Sequence, residues 1–106
     1  MLSVVLPARD EAENIGPLIQ EVHAALQGIE HEVVVVDDGS QDATAEVLHR
    51  LKQDDGRLRV IRHAASCGQS AAVRTGVRAA RYPWIATLDG DGQNDPADLP
   101  RLWAAR

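Results

Sequence analysis

The chain has 106 residues, of which 44% are hydrophobic and 25% are charged, and its formal net charge at pH 7 is −5. This length allows one domain at most, and the composition is that of a soluble globular protein. The acidic balance excludes a general nucleic-acid-binding protein, which would carry a basic stripe.

Segments that would direct the chain to export or into a membrane are not predicted. The first seven residues lack the charged start and long apolar core of a signal peptide, and no apolar run approaches the roughly 20 residues that span a bilayer. The single cysteine, Cys67, excludes an intrachain disulfide and a metal site built from several cysteines. These features fit a reducing compartment.

The first third of the chain predicts a strand, a loop and a helix. Residues 2–6 are apolar and rich in β-branched side chains, as in a strand buried on both faces, and Pro7 ends the run. Residues 8–13 are polar and predict a loop. Apolar residues then recur at helical spacing to about Gln27, with Asn14 as the expected N-cap.

The middle of the chain repeats this pattern. A strand over residues 32–36 contains four consecutive valines, which is typical of a parallel sheet covered on both faces. A second helix is expected to begin near Asp42 and to end at residues 54–56. A third, short strand is predicted over residues 58–61.

The last third predicts a loop over residues 62–68, a helix over 69–81, a buried strand over 84–88, an acidic loop and a final helix. Trp103 in the final helix is expected to pack on the sheet. The third helix has a buried side and an exposed side at helical spacing. The buried side is expected to contain Ala72, Val73, Gly76, Val77 and Ala80, and the exposed side Arg74, Arg78 and Arg81.

This alternation predicts an α/β fold, a three-layer α/β/α Rossmann-like architecture with a mainly parallel sheet and right-handed crossovers. Ligands of such sheets bind outside the carboxyl ends of the strands. Polar clusters follow three of the predicted strands, at residues 8–11, 37–40 and 89–93. All three should therefore lie at one edge of the sheet.

The cluster after the fourth strand predicts a metal site. Asp89 and Asp91 directly follow a buried strand, where their mutual repulsion would be costly without a cation, and oxygen donors suit Mg²⁺ or Mn²⁺. A solvated acidic turn is the alternative. An EF-hand loop beginning at Asp89 is excluded, because its sixth residue would be Asn94 rather than Gly and its twelfth Pro100 rather than Glu. A phosphatase with an aspartate nucleophile would usually place its two aspartates after the first strand, whereas here the two aspartates follow the fourth.

The cluster after the second strand has a structural and a functional interpretation. Gly39 would supply a turn, and Ser40 or Asp42 would cap the next helix. Asp38 would accept a hydrogen bond from a ribose hydroxyl or a base N–H. No Gly-x-Gly-x-x-Gly and no Gly-Lys-Ser/Thr motif occurs, which disfavours a dinucleotide site and an ordinary ATPase.

The remaining polar residues carry weaker predictions. Cys67 is expected to be a small filler rather than a nucleophile, because no motif surrounds it. The four histidines are expected to be surface or loop residues. These are His23, His31, His49 and His63.

Three segments together carry a family resemblance: residues 4–11 (VVLPARDE), 36–40 (VDDGS) and 88–93 (LDGDGQ). In this order and spacing they resemble the amino-terminal, nucleotide-sugar-binding half of glycosyltransferase family 2, which has the GT-A fold. The Asp-x-Asp-x-Gln form followed by Pro96 most resembles the branch of dolichol-phosphate mannosyltransferases and bacterial polyprenyl-phosphate glycosyltransferases. The resemblance covers nearly the whole chain, so residues 1–106 are expected to be the nucleotide-sugar-binding part of a glycosyltransferase domain.

The resemblance implies a role for each motif. The first loop would wrap the nucleoside, Asp38 would contact its base or ribose, and Gly68 and Gln69 would lie close to the nucleotide. Asp89 and Asp91 would be the catalytic residues. The first-loop residues are Pro7, Ala8, Arg9 and Glu11; the metal and diphosphate group is Asp89, Asp91 and Gln93, with Gly90 at the nucleotide. Asp10 stands where Asn is more usual, Gly90 replaces a commoner Ala, and residues 62–64 lack an Asn often seen there.

The implied activity is a metal-dependent, inverting transfer of sugar from a UDP- or GDP-sugar to an acceptor, with Mg²⁺ or Mn²⁺ as cofactor and a polyprenyl phosphate as the expected acceptor. A complete domain of the family is considerably longer, so this chain is expected to be a truncated amino-terminal portion with little or no turnover alone. Acceptor-side residues and any peripheral membrane association would come from parts beyond residue 106, at the cytoplasmic face.

Two alternatives stay open. One is a non-catalytic fragment whose only property is a partial Rossmann-like core. The other is a sugar-1-phosphate nucleotidyltransferase, which shares the architecture but needs a glycine-rich, basic loop after the first strand. Residues 7–11 contain no glycine.

Overall fold

The computed structural model describes residues 1–88 and 95–105, in which strands and helices alternate as predicted. Among these residues, no helix is both long and apolar enough to cross a membrane. The elements in chain order are β1 (Leu2–Ala8), α1 (Ile15–Ala25), β2 (His31–Asp38), α2 (Thr44–Asp54), β3 (Leu58–His63), α3 (Gln69–Ala79), β4 (Trp84–Thr87), a 3₁₀ turn (Pro96–Asp98) and α4 (Leu99–Ala104).

The four strands form one sheet in the order β3-β2-β1-β4, and every described strand pair is parallel. In the register of β1 and β2, Ala8 lies opposite Asp37, so the carboxyl ends of these two central strands coincide. Asp38 in turn lies opposite His63 at the end of β3. The polar loops after β1 and β2 therefore lie at one edge of the sheet, as expected for a parallel α/β fold.

Helices cover both faces of the sheet. The apolar side chains of α1 and α2 pack on one face in a cluster with Val4, Leu6, Val33 and Val35, and Trp103 of α4 packs against that cluster as predicted. On the other face, α3 lies against β1 and β2. The continuous valines of β2 are fully buried because alternate side chains serve the two layers. The prediction of a three-layer architecture is confirmed.

The fourth strand differs from its prediction as a buried strand. Trp84 is 49% exposed and Ile85 is 38% exposed. The physical reason is position: β4 lies at the edge of the described sheet and pairs only with β1, so these two side chains are in contact with solvent. An apolar sequence does not distinguish such an edge strand from a central one. Val77 on α3, predicted to be buried, is also exposed at 39%.

Several element boundaries also differ from the prediction. β1 continues through Pro7 to Ala8, and β2 includes Asp37 and Asp38 rather than ending before them. Asn14 precedes α1 but caps nothing with its side chain, which donates to Glu11 Oε2 instead (3.3 Å). α3 ends at Ala79, two residues earlier than predicted.

Three of the four histidines were wrongly predicted as surface or loop residues. His31 is buried at the start of β2, where its Nδ1 contacts the Ile29 carbonyl (2.7 Å) and its Nε2 contacts His23 Nδ1 (2.8 Å). His23 Nε2 in turn lies 2.6 Å from Asp55 Oδ2. This chain of contacts joins α1, β2 and the end of α2. His63 is the third, and it lies at the candidate site.

A buried carboxylate, that of Glu32, lies at the amino-terminal end of the sheet, opposite the polar loops. Glu32 accepts hydrogen bonds from Ser3 Oγ (2.6 Å), the Arg81 N–H (2.7 Å) and Arg59 (3.1 Å). Burial alone would raise its pKa, but these donors lower the pKa below its ordinary value. The arrangement anchors residue 81, beyond the end of α3, to β2.

The close approach of α3 to the sheet depends on Gly76. A Cβ at this position would overlap Val5 Cγ1 and lie 3.3 Å from Val36 Cγ2. We expect Gly76→Ala to lower the free energy of unfolding by about 1–2 kcal/mol, because overpacking outweighs the gain in helix propensity. Urea unfolding measures this. Gly56→Ala is the control, since no heavy atom lies within 4 Å of its Cβ; equal effects at both positions would contradict the packing.

Burial lowers the pKa of His31, and the positive charges of His23 and Arg57 act in the same direction, against the Ile29 hydrogen bond and the Asp55 charge. The unfolded chain therefore takes up a proton near pH ~6.5 that the folded chain does not, so stability should fall as the pH drops through that value. Melting temperatures at about pH 7.5 and 5.5 measure the loss. The loss should shrink in His31→Gln and persist in His49→Gln, an exposed control; an unchanged loss in His31→Gln would refute the assignment.

Candidate functional site

A cavity of about 360 Å³ opens at the carboxyl ends of β1 and β2. This volume lies at the lower end of the range for small-molecule sites, roughly 300–1,000 Å³. Among the residues that the structure describes, seven line the cavity, and all of them are predicted nucleotide-binding residues. They are Pro7, Ala8, Arg9, Glu11, Asp38, Gly68 and Gln69. The structure thus brings together three segments that are separated in sequence, and their role in binding a nucleotide stays a prediction.

The loop after β1 and the loop after β2 are hydrogen-bonded to each other in both directions. Asp10 Oδ1 accepts from the N–H groups of Gln41 (2.8 Å) and Asp42 (3.3 Å), while the Asp10 N–H donates to Ser40 Oγ (2.9 Å). Asp10 has a φ of 53°, in the left-handed region that Asn and Asp tolerate better than most residues. An aspartate therefore fills this position well, and the loop that carries Arg9 and Glu11 has a fixed shape.

The N-cap predicted for α2 differs from the one in the structure. Asp42 accepts from the Thr44 N–H (2.9 Å) and from its hydroxyl directly before α2, but the N-cap position is Ala43, which makes no side-chain capping bond, so the predicted N-cap is wrong. Ser40 does not cap the helix, because its hydroxyl accepts from Asp10. Thr44 Oγ1 also accepts from the Glu11 N–H (2.9 Å), which ties the start of α2 to the cavity.

The carboxylate of Asp38 is the most heavily hydrogen-bonded group of the site. Its Oδ1 accepts from His63 Nδ1 (2.8 Å) and the Cys67 N–H (2.8 Å), and its Oδ2 accepts from Ser66 Oγ (2.9 Å) and the Gly68 N–H (3.0 Å). Asp38 is only 3% exposed. A single side chain at the end of β2 thus fixes the segment before α3.

These donors also determine the charge of Asp38. Burial would raise its pKa, but the hydrogen bonds from Cys67, His63, Ser66 and Gly68 together lower it far below the ordinary range of an aspartate. The group is therefore a carboxylate, and an acceptor only, at any pH at which the protein would function.

His63 was missed by the sequence reasoning. It ends β3, and its ring lies between Asp38 and α3, where Nε2 contacts Thr75 Oγ1 (2.9 Å). The register of a parallel sheet offered a signal, since His63 lies opposite Asp38 when β2 and β3 pair in line. Cys67 was also wrongly predicted: it is exposed rather than a small filler.

Backbone packing reinforces the same segment. Gly39 has a φ of +69°, and a Cβ there would lie 2.5 Å from Ser66 N and 2.8 Å from the Ala65 carbonyl carbon. Only glycine allows the turn after β2 to lie so close to residues 65–66. Gly39 therefore allows the loop after β2 to contact the loop after β3, besides forming a turn.

The charges at the cavity differ in their pairing. Arg9 is exposed and has no ion-pair partner within residues 1–88 and 95–105. Asp37 is fully buried on the other side of the strand; its Oδ1 accepts from the Ser40 N–H (3.0 Å), and Arg62 Nε lies 3.8 Å from its Oδ2. Arg9 is therefore available to an anionic or aromatic ligand, whereas Asp37 does not line the cavity.

The predicted metal and diphosphate residues Asp89, Gly90, Asp91 and Gln93 lie outside the described residues. Immediately after them, Asp95 accepts from the Ala97 N–H (3.0 Å) and starts the 3₁₀ turn, as expected for the beginning of the last helix. Asp38, His63 and Cys67 place an oxygen, a nitrogen and a sulfur within 4.8 Å of one another. Since Asp38 and His63 already share a hydrogen bond there, a cation would have to replace that proton, and the hydrogen-bonded form accounts for the cluster.

Comparison with known proteins places this geometry in a family. The family model for glycosyl transferase family 2 matches residues 3–105. Among curated proteins, the chain is 41% identical over 104 residues to dodecaprenyl-phosphate galacturonate synthase of Rhizobium johnstonii, covering 95% of this chain and 31% of that protein. It is 37% identical over 105 residues to undecaprenyl-phosphate 4-deoxy-4-formamido-L-arabinose transferase of Pseudomonas aeruginosa, covering 96% and 31% respectively.

Solved structures agree on the fold. S. aureus TarS 1–349 in complex with UDP-GlcNAc superposes with a TM-score of 0.77 at 23% identity, over 98% of this chain and 30% of that one. The mannosyltransferase PcManGT from Pyrobaculum calidifontis, in complex with GDP-Man and Mn²⁺, has a TM-score of 0.75 at 24% identity, over 85% and 27%. The chain spans about a third of the length of the curated relatives it matches. With the family model matching nearly its whole length, the chain belongs to glycosyl transferase family 2.

Proposed function

We propose that this chain is the nucleotide-sugar-binding part of a glycosyltransferase that moves a sugar from a nucleoside-diphosphate sugar to a polyprenyl phosphate. The observation that carries the proposal is the convergence of seven predicted nucleotide-binding residues from three segments on one cavity. The curated relatives support the class of acceptor, because their names specify dodecaprenyl and undecaprenyl phosphates.

The described cavity suits the nucleoside end of the donor. Asp38 contributes a permanent carboxylate, which accepts hydrogen bonds from base N–H or ribose O–H groups. Pro7 and Ala8 contribute apolar surface at the end of β1, and the Arg9 guanidinium is able to stack on a base or to pair with a phosphate. UDP and GDP both fit this chemistry, and one structural neighbour was solved with a UDP-sugar and another with a GDP-sugar.

The diphosphate end is assigned to Asp89, Asp91 and Gln93, with Gly90 between them. Two carboxylates and an amide oxygen form a hard donor set that fits Mg²⁺ or Mn²⁺. When bound, such a cation stabilises the negative charge that develops on the departing nucleoside diphosphate. The chain's own residues bind and orient the donor: the first loop and Asp38 hold the nucleoside.

The acceptor side of the reaction is proposed from its chemistry. A lipid phosphate is already ionised near neutral pH, so its oxygen attacks the anomeric carbon with little need for a strong general base, and attack from the face opposite the leaving group inverts that carbon. Residues for the acceptor would lie outside residues 1–106. A cytoplasmic location, with peripheral membrane association through such parts, is part of the same proposal.

Because donor binding is assigned to this chain and acceptor binding to other parts, residues 1–106 alone are expected to bind the nucleotide without efficient turnover. A nucleotidyltransferase is less well supported, because the first loop contains no glycine and its backbone is held by the second loop through Asp10 and Ser40.

Calorimetry with UDP and GDP, with and without Mn²⁺, tests the proposal. We expect one of the two nucleotides to bind, and to bind at least about tenfold more tightly with the metal, which corresponds to about 1.4 kcal/mol. Asp91→Ala should abolish this metal-dependent gain, because it removes a carboxylate ligand. Asp54→Ala, at an exposed position on α2, is the matched control and should bind like the wild type. No binding by the wild type would contradict the nucleotide function, and an unchanged metal effect in Asp91→Ala would contradict the metal assignment.

A further inference from the structure

The four hydrogen bonds to Asp38 limit how it can meet a ligand. The two oxygens of a carboxylate offer about four lone-pair sites, and all of them are used by His63, Ser66, Cys67 and Gly68. A nucleoside N–H or O–H can therefore bind Asp38 only by replacing one of these donors. The inference below rests on the proposed nucleotide function.

The four donors differ in how easily they leave. The N–H groups of Cys67 and Gly68 belong to the backbone, and they lie directly before α3, which begins at Gln69. Moving them would displace cavity-lining residues 68 and 69. The Ser66 hydroxyl, in contrast, is on an exposed residue and can turn away by rotation about one bond.

The His63 ring is held from both sides. Because Asp38 accepts only, His63 Nδ1 must carry the proton of their 2.8 Å contact. On the far side, Nε2 lies 2.9 Å from Thr75 Oγ1, whose hydroxyl is also 3.0 Å from the Ala71 carbonyl. The Thr75 hydroxyl has one proton: when it donates to the Ala71 carbonyl, Oγ1 can accept from Nε2–H, and when it donates to Nε2, the Ala71 bond is given up; in both arrangements the Nδ1–H stays on Asp38.

We propose that His63, held by Thr75, is a positioning residue that keeps the Asp38 carboxylate oriented towards the nucleoside, while the Ser66 hydroxyl occupies the place that a nucleoside donor takes on binding. The nucleoside donor then binds Asp38 Oδ2, the oxygen that the Ser66 hydroxyl no longer contacts, and this hydrogen bond contributes the specificity for the base or ribose. Oδ1 stays bound to His63 and to the Cys67 N–H throughout.

Nucleotide affinity in three variants tests this assignment, measured by calorimetry with UDP and GDP in the presence of Mn²⁺. His63→Leu should weaken binding at least about tenfold, because the carboxylate loses its fixed donor. His63→Asn should recover most of that loss, since an amide N–H can replace Nδ1–H. Ser66→Ala should bind as tightly as the wild type or more tightly, because no donor has to be displaced. His49→Leu, on the exposed face of α2, is the matched control.

Hydrogen exchange of the Cys67 and Gly68 amides supplies a readout that needs no nucleotide. Both amides should be protected in the wild type and in His63→Asn, and should exchange faster in His63→Leu. Equal nucleotide affinity in the wild type and His63→Leu, weaker binding by Ser66→Ala, or unprotected amides in the wild type would each overturn the inference. Failure of the wild type to bind any nucleotide while the amides are protected would instead overturn the proposed function, and this inference with it.

Discussion

The carboxylate of Asp38 joins the parts of the chain that make the cavity. It ends β2, it is 3% exposed, and it accepts from the end of β3 and from three successive residues before α3. A buried carboxylate is costly unless it is hydrogen-bonded, so the segment 66–68 and the charge of Asp38 stabilise each other. The position of Gln69 and the first turn of α3 follow from this arrangement.

The same principle organises the other two segments. The parallel sheet brings the ends of β1 and β2 side by side, but it does not by itself give the loops a shape. Asp10 and Ser40 do so by exchanging hydrogen bonds across the gap, and Gly39 allows the second loop to lie against residues 65–66. Three loops are thus fixed by side-chain to backbone contacts before any ligand arrives, which reduces the ordering that binding would have to overcome. This preorganisation supports the proposed nucleoside site.

Much of this architecture was predictable because it follows from local pattern. Four consecutive valines in β2 indicated a strand buried on both faces, and polar residues after successive strands indicated one functional edge. The exposure of Trp84 was not predictable in this way, since an edge strand and a central strand can have the same apolar sequence. His63 was missed for a related reason: its partners Asp38 and Thr75 are 25 and 12 residues away, and they meet His63 only through the register of β2 with β3 and the packing of α3 on the sheet. The saturation of Asp38 is likewise a tertiary property that no spacing in the sequence encodes.

The central claim is that a nucleoside diphosphate binds at the carboxyl ends of β1 and β2, around Asp38. Chemical-shift mapping of the ¹⁵N-labelled chain during titration with UDP or GDP and Mg²⁺ tests it directly. The largest shifts should fall on the backbone N–H groups around the cavity, with little change in the groove between α1 and α2 around His23 and Asp55. The cavity groups are those of Arg9, Glu11, Asp38, Gly68 and Gln69. Saturable shifts that cluster in that groove and leave the cavity residues unchanged would contradict it.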